Sequence, residues 1–169
     1  MTGAVDRVTR GPNAFPPSVI ISPEKNLRQV VGVVLLREDG AALLQHRDDI
    51  AGISDPGLWV FPGGHLESSE TPSDGALREM EEETCYRCRN LRPLTRLAID
   101  EGELLFFWDS YDGRQPLACR EGQGLEFVDR ERVKLLPKQP YLTEVFDLAL
   151  AAQKLSNLSV EHSKHSSAA

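Results

Sequence analysis

The 169-residue chain has no stretch approaching the ~20 consecutive apolar residues that a membrane-spanning helix needs. Its first residues, Met-Thr-Gly-Ala-Val-Asp-Arg, are broken by charge and lack the apolar segment of a secretory signal, which points to a cytoplasmic protein with no membrane partner. Cysteine is scarce, and an odd count of three argues for reduced thiols rather than a disulfide framework. Cys85 and Cys88 make one Cys-x-x-Cys pair, but only Cys119 is left over, so small, partly buried side chains are a better reading than a zinc site. Positive charge is also in deficit, with 19 Lys and Arg against 26 Asp and Glu and a net charge of −7. A general nucleic-acid surface, which needs clustered Lys and Arg to neutralise phosphates, is therefore not expected. An Asp-rich calcium loop and an internal repeat are likewise missing.

What is present suits one soluble domain, large enough to bury roughly 70% of its unfolded surface without staples. Residues 1–28, with Pro12, Pro16, Pro17 and Pro23, read as an irregular arm holding at most a short strand near Ser18 to Ile21. Gln29 to Leu36 is almost continuously apolar and β-branched, the pattern of a strand covered on both faces. Glu38-Asp39-Gly40 turns the chain into a second strand, Ala41 to Arg47. Further strands are predicted over Leu58 to Phe61, Leu91 to Asp100, Leu104 to Tyr111 and Leu125 to Val128. Gln139 to Lys154 closes the domain as an amphipathic helix, and residues 157–169 read as a disordered tail, leaving a domain over 29–156.

The informative stretch is Gly63 to Tyr86, a glycine turn running into an acidic helix. Thr71 caps the helix, Pro72 suits its first position and Asp74 completes a capping box, so the helix should run from Pro72 to Thr84. Leu77, Met80 and Thr84 are its predicted buried stripe, with Glu79, Glu82 and Glu83 on another face. Three like charges within one turn repel, so a cation is expected, and hard carboxylate oxygens suit Mg²⁺ or Mn²⁺. Arg78 can reach back to Glu70 and tie the glycine loop to the helix. Gly63 and Gly64 permit close backbone approach, which can bring a carbonyl to the acids as a further ligand.

Gly64, five residues, Glu70, seven residues, then Arg78-Glu79-Met80-Glu81-Glu82-Glu83 resembles the box of the Nudix family. Cys85 and Tyr86 depart from it, standing where the family has glycine and an aliphatic residue. The resemblance implies an α/β fold, a Nudix-like α/β/α sandwich with a mixed β-sheet between helices. It also implies hydrolysis of a pyrophosphate bond in a nucleoside diphosphate linked to another moiety, aided by divalent metal. Glu82 and Glu83 are assigned as principal metal ligands, Glu79 as ligand or general base, and Arg78 as its catalytic partner. The resemblance adds the carbonyl of Gly63 and, from the Arg120-Glu121-Gly122-Gln123 context, Glu121 to the metal set, and Arg47 as a substrate-phosphate clamp. Gln139 stands near the place where mutator-type members carry an asparagine that reads the base. Trp59, Phe107 and Trp108 are candidates for stacking a base. The expected partner is a small nucleotide-type substrate, and the chain is monomer or homodimer. The rival from another class is a non-catalytic Nudix-fold module that binds a nucleotide or protein. The intact acid triplet speaks against it.

Overall fold

A computed structural model describes residues 28–100 and 102–166, so the expected short strand in the N-terminal arm lies outside the described residues. Seven strands and three helices follow in the order β1 (Arg28–Leu36), β2 (Ala42–His46), β3 (Trp59–Val60), β4 (Gly63–His65), α1 (Pro72–Thr84), β5 (Arg92–Ile99), β6 (Gly102–Ser110), β7 (Gly124–Val128), α2 (Arg130–Val133) and α3 (Leu142–Ser166).

β1 is the axis of the mixed sheet, as its unbroken apolar run predicts. Along one edge it pairs in parallel with β6 over its whole length, from Arg28 opposite Gly102 to Leu36 opposite Ser110. Along the other edge its partner changes: Leu36 pairs with Ala42 of β2, whereas Val30 to Gly32 pair with β4. β2 continues between β3 and β7, and β5 flanks β6. Alternation in β1 feeds two cores. Val31, Val33 and Leu35 join Ala76, Met80 and Tyr86 beneath α1, while Val34 and Leu36 join Leu142, Val145, Phe146 and Ala149 beneath α3. Helices thus cover both faces of the sheet, and the α/β/α sandwich implied by the box is what the chain forms.

α1 begins and ends where the sequence predicts. The Asp74 N–H donates to Thr71 Oγ1 at 3.2 Å, and the Thr71 hydroxyl donates to the Asp74 carboxylate at 2.5 Å. Its buried stripe differs from the predicted one. Leu77 is 37% exposed, and the inward face runs through Ala76, Met80, Glu83 and Thr84. Met80 and Thr84 are buried as predicted, and the inward face extends past them to Ala76 and Glu83 rather than to Leu77, which sets Glu83 against the sheet.

Gly63 to His65, read from sequence as a turn alone, forms strand β4. Glycine has poor strand propensity, and here it is tolerated because a side chain would not fit: a Cβ on Gly63 would lie 2.1 Å from the Val31 carbonyl. The short helix α2 was not foreseen either. Its cap, Asp129, accepts from the Arg132 N–H at 2.8 Å. α3 starts at Leu142 rather than Gln139 and continues to Ser166, through the segment predicted to be disordered. Phe107 and Trp108 are buried in the two cores, and Trp59 stacks on His46 with ring centroids 4.8 Å apart.

Candidate active site

Arg78 organises the acidic helix from within. Its Nε donates to Glu70 Oε1 at 2.9 Å and one terminal nitrogen donates to Glu70 Oε2 at 3.0 Å, the forked pairing predicted from sequence. That same nitrogen reaches the His65 carbonyl at 3.1 Å, and the other terminal nitrogen donates to Glu79 at 2.8 Å and to Glu82 at 3.0 Å. One guanidinium therefore binds β4, the loop after it and two acids of α1. These partners hold Arg78 further toward its charged form, with Glu70 first among them, and Glu70 in turn is held below the usual carboxylate range by Arg78.

The acids differ sharply in surroundings. Glu82 leaves its side chain 60% exposed. Glu79 is half-buried, and burial is the main cause of a carboxyl raised above its ordinary value, against the pull of Arg78. Its carboxylate packs on Gly64, where an added Cβ would come within 2.5 Å of Oε1. Glu83 is only 5% exposed and accepts the Gly63 N–H at 2.9 Å. Burial, with repulsion from Glu121 and Glu79, pushes its carboxyl up to about 7.

Glu121 arrives from the loop before β7. The Arg120 N–H donates to the Glu83 carbonyl at 2.9 Å and the Ala118 N–H to the Thr84 carbonyl at 3.0 Å, so this loop is laid along the end of α1. Arg47, at the exit of β2, stands 3.9 Å from the Glu121 carboxylate and donates through Nε to the Ser54 carbonyl at 2.7 Å. Glu79, Glu83, Glu121, Arg47, Arg78 and Gly63 are among the residues lining a cavity of about 700 Å³. Glu82 is the one predicted acid that is not among its lining residues.

Phe106, Leu104 and Tyr141 add apolar and aromatic wall to the same cavity, with the Phe106 and Tyr141 ring centroids 5.7 Å apart. Asp55 and Gln139 line it too and are joined by a hydrogen bond from the Gln139 amide to the Asp55 carboxylate. Of these, sequence reasoning singled out Gln139 alone. Phe106 was overlooked in favour of Phe107, its neighbour on the opposite face of β6. Asp55 is held by a backbone φ of 55° in the loop after β2, a conformation that single-sequence patterns do not reveal.

Cys85 also finds its place. It ends α1 with φ 60°, the left-handed conformation in which glycine is usual, and its N–H closes on the Glu81 carbonyl. Its sulfur accepts from Arg120 Nε at 3.0 Å. Tyr86 fills the core beneath α1 and its hydroxyl accepts the Asp112 N–H at 3.0 Å, with burial pushing the phenol up to about 12.

Among the described residues, no three His, Cys, Asp or Glu side chains form a closed metal cage. The donor set nonetheless fits a divalent cation that keeps water and phosphate in its shell. It consists of oxygens alone, and Glu83 is a buried carboxylate facing two other acids, with the Gly63 N–H and the charge of Arg47 opposing them.

The NUDIX domain family model matches residues 26–148. A Nudix hydrolase of Bacillus subtilis (strain 168), YvcI, is 30% identical over 139 residues, covering 76% of this chain and 83% of that one. An RNA pyrophosphohydrolase of Zymomonas mobilis is 42% identical over 57 residues, 34% of each chain. The fold is shared with a solved MutT structure from work on the Aliivibrio salmonicida and Vibrio cholerae proteins. That likeness has a TM-score of 0.63 at 22% identity and covers 74% of this chain and 98% of that one. The chain belongs to the Nudix family. Within it, the chain is a Nudix-type pyrophosphohydrolase.

Proposed function

We propose that the protein hydrolyses, with a divalent metal ion, the pyrophosphate bond of a nucleoside diphosphate linked to another moiety: a nucleoside triphosphate, a nucleotide sugar or a dinucleoside polyphosphate. The observation that carries this reading is a cavity lined both by acids and arginines and by aromatic and aliphatic side chains. That mixed lining matches a substrate with a charged diphosphate and a flat, apolar base.

Glu79, Glu82, Glu83, Glu121 and the Gly63 carbonyl would hold Mg²⁺ or Mn²⁺. Bound there, such an ion lowers the pKa of its water from about 15.7 toward neutrality and stabilises charge on the phosphate oxygens. Glu79, kept in place by Arg78 and raised in basicity by burial, is the acceptor for the nucleophile's proton. Arg47, on the opposite wall from α1, clamps a substrate phosphate. Phe106 and Tyr141 enclose the nucleoside and keep bulk water from it.

The test is phosphate or pyrophosphate release from a panel of nucleoside diphosphate derivatives with Mg²⁺ and Mn²⁺. Turnover of at least one class, lost on chelation, is expected. Glu79→Gln and Glu83→Gln, each folded, should lower kcat by about 10²–10⁴-fold. A chain that turns over no member of the panel, or folded variants that keep full activity, overturns the reading.

A further inference from the structure

Gln45 is anomalous in its strand. β2 reads Ala-Leu-Leu-Gln-His, and Gln45 is 1% exposed, as buried as the leucines before it. It shares a face of the sheet with Leu43, which packs in the core beneath α1. A buried amide survives only where its hydrogen bonds are met. Its Nε2 donates to the main-chain carbonyl of Glu121 at 3.0 Å.

The same strand end holds the rest of that loop. The Gln123 N–H donates to the His46 carbonyl at 2.7 Å, and the Gln123 amide donates to the Arg47 carbonyl at 2.7 Å. Gly122 passes so close to β2, with φ 80°, that a Cβ there would lie 2.4 Å from the His46 carbonyl and 3.4 Å from Gln45 Cγ. The Glu121 side chain, 56% exposed, receives little packing of its own. Apart from the ion pair with Arg47, its direction is set through its backbone, whose carbonyl is held by the exposed Cys119 thiol at 3.1 Å and, from the core, by Gln45.

We propose that Gln45 is a positioning residue for the pyrophosphohydrolase reaction: from the buried end of β2 it fixes the Glu121 main chain, and thereby aims the Glu121 carboxylate at the other acids lining the cavity. The assignment rests on the reading of those acids as a cation site. Residues that orient a metal ligand from behind characteristically change metal affinity or activity by about 10–100-fold when replaced.

Two substitutions probe it. Gln45→Leu is matched in size and removes the donor, and Gln45→Glu keeps the shape while replacing the donor with an acceptor. Binding of Mn²⁺ alone, followed by electron paramagnetic resonance without substrate, should weaken about 10–100-fold in both variants. Amides 119–123 of the metal-free variants should exchange hydrogen faster, and saturating Mn²⁺ should restore most of kcat. In a Glu121→Ala background, Gln45→Leu should weaken Mn²⁺ binding no further. Unchanged Mn²⁺ affinity, an equal loss in the Glu121→Ala background, or unfolding of both variants would each overturn the assignment. If the unsubstituted chain takes up no Mn²⁺, the cation-site reading itself fails and the role of Gln45 falls with it, an outcome distinct from a defect confined to the variants.

Discussion

Single atoms decide much at the glycine strand. Gly63 and Gly64 are adjacent and both exclude a Cβ, yet for different reasons. A methyl on Gly63 would strike main chain, the Val31 carbonyl, whereas a methyl on Gly64 would strike the flexible end of Glu79. Gly63→Ala should therefore destabilise the fold by about 3 kcal/mol or more, read from denaturant melts. Gly64→Ala should instead keep most of its stability and lose activity by at least ~10²-fold, because the carboxylate assigned as base is displaced. Equal melting losses in the two variants would contradict this division. Glu83 makes a second residue-level case. Its carboxyl is raised from 4.5 to about 7, so the folded chain holds a proton that the unfolded chain has released between those values. The stability linked to that proton is fully present below the unfolded value and is lost as pH rises through about 7. The metal-free protein should thus lose on the order of 2–3 kcal/mol between about pH 5 and pH 8, and Glu83→Gln should flatten that slope. Asp39 and Asp112, held at about 2, act in the opposite sense, and only at lower pH.

The elements themselves show which features a single sequence can carry. The start of α1 was legible because local chemistry marks it, Thr71 as cap and Pro72 at the first position, whereas its end turns on the left-handed Cys85, which carries no such local signal. β1 was legible because a run of Val and Leu has few other uses. β4 was not, since two glycines carry no strand signal and pair only because β1 passes close beside them. The burial of Glu83 was likewise hidden, because it depends on how far the inward face of α1 extends beyond Met80 and Thr84, which packing against the sheet decides. The acid positions could be read from their spacing. The aromatic wall of the cavity could not, since Phe106 and Tyr141 are brought together by β6 and the start of α3. Cys85 offers an element-level test. A non-glycine residue in the left-handed conformation carries a penalty of about 1–2 kcal/mol. Cys85→Gly should raise the melting temperature by about 2–4 °C per kcal/mol relieved, less whatever the contact with Arg120 contributes. A fall in melting temperature would show that the sulfur contact outweighs the strained backbone.

At the scale of the whole molecule, α3 extends past the core it covers. Among the described side chains of α3, Gln153 is the last buried one, and from Lys154 to Ser159 the helix is mostly exposed. The pairing of β1 with β6 bears on synthesis. The strand that serves both cores leaves the ribosome well before the neighbour that covers one entire edge of it, because β2, β3, β4, α1 and β5 lie between them. Closing so large a loop is entropically unfavourable until the late strand arrives. During that interval, a bare and strongly apolar edge would be open to aggregation. The acids of α1 are translated before the chain can hold them, so a nascent chain ending at Ile99 would carry the entire box sequence and still lack the scaffold that gives Glu83 its burial.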